Sequence, residues 1–255
     1  MQLFHRDLGG VGRPPLVILH GLLGSSRNWQ AVGADLAPGF HVFALDLRNH
    51  GRSPHADEMT YPAMVDDVLG WLDAQGLTRV TLMGHSLGGK VAMLLACRHP
   101  DRVERLVVVD IAPKDYPAHA DRAEFAAMNA LPLAALRSRG EAEKFFEALV
   151  PDWAMRKFLT TNLEQGPDGT WRWLINLAAL TAALPKLVRN PLAPDDRFEG
   201  PARFIIGGQS RFVRPEDTAT IRLHFPATEI ITIAASGHNP HMETRPAFVQ
   251  AVLEM

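Results

Sequence analysis

Six short apolar runs are separated along the chain by stretches with helical spacing: LVIL at 16–19, HVFAL at 41–45, RVTLM at 79–83, RLVVV at 105–109, RFII at 203–206 and EIITI at 229–233. Their apolar residues are consecutive and carry no polar alternate face, as in strands covered by helices on both sides. Alternation of such strands with helices predicts an α/β architecture around a mostly parallel sheet. The length and β-branching of the runs fit buried segments of an all-helical protein poorly. Between 114 and 199 the pattern changes: Val150, Ile175 and Val188 are the aliphatic β-branched residues there, Ala and Leu abound, and no strand of the sheet is expected. In EAEKFFEALV at 141–150, Ala142, Phe145, Phe146, Leu149 and Val150 fall on one helical face. Pro132, Pro151, Gly166-Pro167, Pro185 and Pro191 cut the segment into short helices. The expected organisation is a core made of 1–113 and 200–255, with 114–199 inserted as a helical cap, since one crossover helix needs far fewer residues.

Charge and composition narrow the partners. Lys plus Arg number 26 against Asp plus Glu 28, and no basic tract or stacking-aromatic motif occurs, so nucleic acid and anionic membrane surfaces are poor partners and a small-molecule substrate is expected. Cys97 is the single cysteine, which excludes an internal disulfide and any cysteine-based metal or redox motif; it reads as a packing residue on a helix, in a reducing compartment. The start, MQLFHRDLGG, has no apolar signal core, and no apolar run approaches the ~18 residues that span a bilayer, so a cytoplasmic protein without membrane insertion is expected. The sequence does not separate a monomer from a homodimer.

Candidate chemistry collects just after the C-terminal ends of predicted strands, the edge where open α/β sheets place ligands. Gly84-His85-Ser86-Leu87-Gly88 fits G-x-S-x-G between the strand RVTLM and the helix KVAMLLACRH, a context in which a sharp turn exposes the serine hydroxyl. Ser86 is therefore the expected nucleophile, against the plainer reading of a capping serine in a glycine turn. A serine needs an adjacent base, itself oriented by a third group. Of 11 histidines, His238 stands directly after the last predicted strand; its competitor His241, three residues on, falls in the first turn of a C-terminal helix. An acyl-transfer oxyanion needs backbone donors, expected here from the N–H groups of Leu87, after the nucleophile, and Leu22, after His20-Gly21.

Four stretches, HGLLGSSRNW at 20–29, DLRNHGRS at 46–53, GHSLGGK at 84–90 and SGHNPHMETRP at 236–246, occur in the order typical of the α/β-hydrolase superfamily, which the chain resembles over nearly its whole length. With VVVDIAP and GGQSRFV, they are most similar to the small bacterial carboxylesterases of the YbfF type and their eukaryotic abhydrolase relatives. The resemblance implies an α/β-hydrolase fold with a mostly parallel eight-stranded sheet, a helical lid inserted after the sixth strand, and no cofactor. In DLRNHGRS, Asn49 replaces a frequent glycine; the stretch is expected to shape a wall of the site, with Asp46 in a structural role. The third triad member departs from the commonest pattern: Gly207-Gly208-Gln209-Ser210 has serine where many superfamily members have aspartate. Glu216 and Asp217 follow Pro215 as first-turn helix residues. Asp110 ends RLVVV and lies between Ser86 and His238 in chain order, and the resemblance implies an acid there; a turn-forming aspartate is the plainer reading.

The expected activity is hydrolysis of small-molecule acyl esters or thioesters through an acyl-enzyme, with Trp153, Trp171 and Trp173 of the cap lining the acyl pocket. Two rivals stand beside it. A pyruvate-eliminating lyase of the menaquinone-biosynthesis type, which HGLLGSSRNW also resembles, would need arginines such as Arg137, Arg139, Arg156 and Arg172 to converge on the pocket. A ligand receptor would use the same fold without turnover.

Overall fold

The computed structural model describes residues 1–117 and 123–254; positions 118–122 of the expected cap lie outside the described residues. Core strands and helices alternate as β1 (His5–Asp7), β2 (Pro15–Leu19), α1 (Gln30–Leu36), β3 (His41–Leu45), α2 (Tyr61–Ala74), β4 (Val80–His85), α3 (Leu87–Arg98) and β5 (Val103–Val109). An inserted segment follows, with α4 (Ala123–Ala130), α5 (Arg139–Phe146), α6 (Trp153–Thr160), β6 (Leu163–Gln165), β7 (Trp171–Trp173) and α7 (Leu177–Leu187). The core then resumes with β8 (Ala202–Gly207), α8 (Asp217–His224), β9 (Thr228–Ile233), α9 (Pro240–Glu243) and α10 (Arg245–Leu253).

The main sheet runs β1-β3-β2-β4-β5-β8-β9 and is parallel except for β1, which pairs antiparallel with β3. Seven strands thus stand where eight were expected, because the residues ahead of β2 hold a single strand of 3 residues. For the same reason the insertion follows the fifth strand and not the sixth.

Consecutive apolar residues in the strands serve both faces. Val17, Leu19, Phe43, Leu45, Leu82 and Val108 pack with α2, α3 and α8, while Leu16, Ile18, Val42, Ala44, Met83 and Val107 pack with α1 and α10. Every one of these twelve positions is buried, so a one-residue slip of any strand would exchange its two faces.

The inserted segment is helical apart from the two-stranded hairpin β6–β7, which stands separate from the main sheet. The apolar face of 141–150 is narrower than its spacing suggested: Ala142, Phe146 and Val150 are buried, but Phe145 and Leu149 are 42% and 45% exposed, since α5 ends at Phe146. Pro185 does not break the chain into a new helix; it lies inside α7 near its C-terminal end and forfeits the N–H that would have met the carbonyl of Thr181. Buried polar contacts fasten the insertion to the core, among them the Tyr61 hydroxyl, which donates to the Leu187 carbonyl at 2.6 Å, and the Asn162 amide, which donates to the Leu23 carbonyl at 2.9 Å. The buried Lys90 ammonium on α3 donates to the carbonyls of Val188 at 3.0 Å and Arg189 at 2.6 Å, just past the negative end of α7. Asn176, the N-cap of α7, donates its backbone N–H to the carbonyl of Asn49 at 3.0 Å. Asn49 itself has φ +65°, the left-handed conformation that explains why glycine is frequent there and asparagine tolerated. Among the described residues no helix is long and apolar enough to cross a membrane.

Candidate active site

Ser86 sits between the end of β4 and the first turn of α3, with φ 51° and ψ −113°. Close packing forces the flanking glycines: a Cβ on Gly84 would come within 2.2 Å of the Gly88 carbonyl oxygen, and one on Gly88 within 2.4 Å of that of Leu19. Non-glycine residues with positive φ among those described are Leu23, Asn49, Ser86 and Asp110. Three of them follow the C-terminal ends of β2, β4 and β5, so backbone strain of about 1–3 kcal/mol each is concentrated at one sheet edge.

At that edge, His238 Nδ1 and Asp110 Oδ2 are 2.7 Å apart. Asp110 is buried; its Oδ1 accepts the Gly207 N–H at 2.9 Å, and its Oδ2 also accepts the hydroxyl of Ser210. With the carboxylate accepting from Nδ1–H, the neutral imidazole carries its lone pair on Nε2, the tautomer a general base requires. Phe212 stacks on the His238 ring at 3.7 Å and 13°, and His85 Nε2–H donates to the His238 carbonyl at 2.8 Å. His241 makes no hydrogen bond to Asp110 among the described residues and lies flat on the Trp29 indole, 4.1 Å away at 9°, with its ring 4.8 Å from that of His85. Neither Phe212 nor His85 was assigned a role from sequence. The middle residue of the serine motif, holding the backbone of the candidate base, is legible only once β4 and the loop after β9 are brought together.

The loop after β2 is shaped from beneath. His20 accepts the Leu47 N–H on Nε2 at 3.0 Å and donates from Nδ1 to the Gly21 carbonyl at 2.8 Å. His50 accepts the Leu23 N–H on Nε2 at 3.3 Å and donates from Nδ1 to the Arg48 carbonyl at 2.9 Å. Asp46 accepts the N–H groups of Ser26 at 2.6 Å and Arg52 at 2.8 Å, the structural role expected of it. The Gly24 N–H goes to the Gly21 carbonyl at 2.9 Å. Leu22, between these fixed amides, faces the cavity together with Leu87, whose first-turn N–H has no acceptor inside its helix. The stretch 46–53 does not form a wall of the site; it acts one layer further out, since its side chains are turned into these backbone contacts.

Burial pushes His50 and His241 down to about 3 and lowers His20 and His85 below the ordinary histidine value of 6.5, in each case chiefly by desolvating the charged ring. Such a ring takes up a proton in the unfolded chain at a pH where the folded protein refuses it. Its contribution is therefore complete above about pH 6.5 and shrinks as pH falls toward the folded value, by up to about 1.4 kcal/mol per pH unit for each group. Urea unfolding is expected to show stability falling from about pH 6.5 to about pH 5, before carboxylates titrate, and His50→Gln should flatten the slope. A stability that stays level over that interval would contradict neutral burial of these rings.

A cavity of about 830 Å³ opens over the sheet edge and is lined by Ser86, His238, Leu22 and Leu87, a size suited to small-molecule sites. Its apolar lining includes Ile111, Phe125, Met155, Phe158, Leu184 and Leu187. Trp153, Trp171 and Trp173 are not part of that lining. On α6, Ala154, Met155 and Phe158 turn to the cavity while Trp153 is 60% exposed, with the Lys157 ammonium 5.6 Å from its ring centroid. Trp171 and Trp173, two apart on β7, pack on the apolar interior, and Trp171 also meets the Arg139 guanidinium at 5.6 Å. Arg137, Arg139, Arg156 and Arg172 likewise do not reach the cavity: Arg139 and Arg156 bond backbone carbonyls and Arg172 pairs with Glu164. The convergence that a polyanionic lyase substrate requires is not met among the described residues. Cys97 is half-buried on α3, and burial pushes its thiol up to about 12, which keeps it protonated and unreactive.

The architecture agrees with comparisons to known proteins. A family model described as alpha/beta hydrolase fold matches residues 14–244. The chain is 38% identical over 251 residues to the sn-1-specific diacylglycerol lipase ABHD11 of Mus musculus, covering 96% of this chain and 81% of that one. It is 35% identical over 238 residues to esterase YbfF of Escherichia coli strain K12, covering 93% and 91% of the two chains. Among solved structures, a marine microorganism esterase superposes with a TM-score of 0.96 at 35% identity, over 100% of this chain and 99% of the other. On fold, strand-edge geometry and extent of similarity together, the chain belongs to the α/β-hydrolase family.

Proposed function

We propose that the protein is a serine esterase acting on small acyl esters, with Ser86 as nucleophile, His238 as general base and acid, and Asp110 as the group that orients the imidazole. The observation that carries this reading is the 2.7 Å contact between His238 Nδ1 and the buried Asp110 carboxylate in the cavity that Ser86 lines. His238 Nε2 takes the Ser86 hydroxyl proton as Oγ bonds to the acyl carbon, and the carbonyl oxygen becomes an oxyanion held by the N–H groups of Leu22 and Leu87. Collapse of that intermediate breaks the ester C–O bond, and the imidazolium gives its proton to the departing alcohol. Water gives a proton to the same imidazole as it attacks the acyl carbon; the second intermediate breaks its bond to Ser86 Oγ, which takes that proton back, and the carboxylic acid leaves. The segment 114–199 acts as a lid over the acyl chain, contributing Phe125, Met155, Phe158, Leu184 and Leu187.

The similar proteins named esterase and lipase support ester chemistry, and an oxygen ester is the simplest substrate class consistent with them. Multiple turnovers of p-nitrophenyl butyrate are expected, together with stoichiometric labelling of Ser86 by a fluorophosphonate. A single burst without turnover would favour a receptor, and labelling at another residue would overturn the assignment of the nucleophile.

A further inference from the structure

Phe212 covers the candidate base, and its own peptide group is tied at both ends. The ring lies 3.7 Å from the His238 imidazole at 13° and 5.7 Å from the Tyr116 ring at 36°. Its N–H donates to the Ser210 hydroxyl oxygen at 3.1 Å, and its carbonyl accepts the Tyr116 hydroxyl at 2.9 Å. The same Tyr116 oxygen accepts the Ala112 N–H at 2.9 Å. One phenol therefore bridges the loop after β5, which supplies Asp110, and the loop after β8, which supplies Phe212. Tyr116 also donates its backbone N–H to the Val188 carbonyl at 2.9 Å, so the bridge stands where the inserted segment leaves and rejoins the core. Burial raises the phenol above its ordinary range, and the hydroxyl keeps the proton it donates.

An ordinary loop contact would end there, but this one ends on a ring that changes charge. A general base becomes an imidazolium in both the acylation and the deacylation half of the reaction. An aromatic face laid on that cation attracts it through the ring quadrupole and shields it from water. The gain is full only when the face is already in place, because a preorganised group needs no rearrangement as charge develops. Phe212 is half-buried and lies outside helix and strand, so the bonds to its peptide group are what fix its ring over His238.

We propose that Tyr116 and Phe212 are positioning residues for the base: the Tyr116 hydroxyl fixes Phe212 by its carbonyl, and the Phe212 ring holds the His238 imidazole in plane and favours it as the imidazolium. This rests on the esterase reading above and adds to it two residues outside the triad. The test is a double-mutant cycle on p-nitrophenyl butyrate hydrolysis. Phe212→Leu, which keeps an apolar side chain without an aromatic face, should lower kcat about tenfold with KM within about twofold. Phe212→Tyr keeps the face and should recover most of that loss. Tyr116→Phe removes one oxygen and keeps the ring; it should lower kcat about fivefold in the wild-type background and less than about twofold in Phe212→Leu, since its effect travels through the stack. The same Tyr116→Phe loss in both backgrounds, a change in KM with kcat unmoved, or a lower melting temperature with unchanged kcat overturns the positioning role and leaves the esterase intact. Should Tyr116→Phe fail to fold, the two Phe212 variants decide, and equal losses in them overturn it. Wild type that turns over no ester overturns the esterase reading, and this role with it.

Discussion

Replacing Ser86 by alanine is expected to lower kcat on p-nitrophenyl butyrate by about 10⁶-fold, the scale on which removing a triad nucleophile acts when the rest of the machinery remains. The fold should survive, because the contacts that hold the elbow are made by its backbone: the Ser86 N–H donates to the Val109 carbonyl at 3.1 Å and its carbonyl accepts from Lys90 N–H at 3.1 Å. Alanine inherits the positive φ of 51° and with it the strain. Glycine does not, so Ser86→Gly should be as inactive as Ser86→Ala yet more stable than it by about 1 kcal/mol, a strain of about 1–3 kcal/mol relieved against the extra chain entropy of glycine. Steady-state rates and thermal melts of the two variants measure both halves. Activity within about 100-fold of wild type in Ser86→Ala would remove Ser86 from the nucleophile's place.

The parts of this molecule that sequence made legible are those carried by local pattern. The runs at 16–19 and 41–45 became β2 and β3 nearly residue for residue, because a strand buried on both faces must be apolar at every position. β1 escaped because HRD, a three-residue edge strand, has no apolar signature, and the hairpin β6–β7 escaped because its strands, LEQ and WRW, are three residues each, too short for alternation to declare itself. At the site, the glycines flanking Ser86 announce a turn, but nothing local says that Phe212 covers His238 or that His85 holds its carbonyl: those contacts join loops after β8 and β9 with the end of β4. The tryptophans misled in the opposite direction. A large apolar side chain in a lid is as readily used in the lid's own interior as on a pocket, and only the rotation of α6, which points Met155 and Phe158 inward, separates the two.

Asp110→Asn is expected to cost up to about 10⁴ in kcat with the fold retained. Asparagine is among the few residues that accept a φ of 48°, and its Oδ1 can keep the Gly207 N–H, so the backbone has no reason to move. What changes is the other atom: an NH₂ group in place of Oδ2 presents a donor to His238 Nδ1, and the ring answers by placing its proton on Nε2, where it cannot accept one from Ser86. Ser210 offers a second position from which to correct this. Its hydroxyl already donates to the same Asp110 Oδ2 that meets His238, so a carboxylate at 210 approaches the imidazole from the same side. Adding Ser210→Asp to Asp110→Asn should therefore raise kcat at least about tenfold above the single variant, since the new carboxylate can take both the Nδ1–H and an N–H of the amide that the first substitution introduced. Recovery should stay incomplete, because nothing around residue 210 holds a carboxylate within the roughly half-ångström tolerance of a catalytic group. In an otherwise wild-type chain Ser210→Asp should reduce activity, as two carboxylates meeting at one point repel and one takes up a proton. A loss below about tenfold in Asp110→Asn would remove Asp110 from the orienting role. A double variant no faster than Asp110→Asn would show that position 210 cannot deliver an acid to this histidine, leaving Asp110 as the sole site from which the ring can be held.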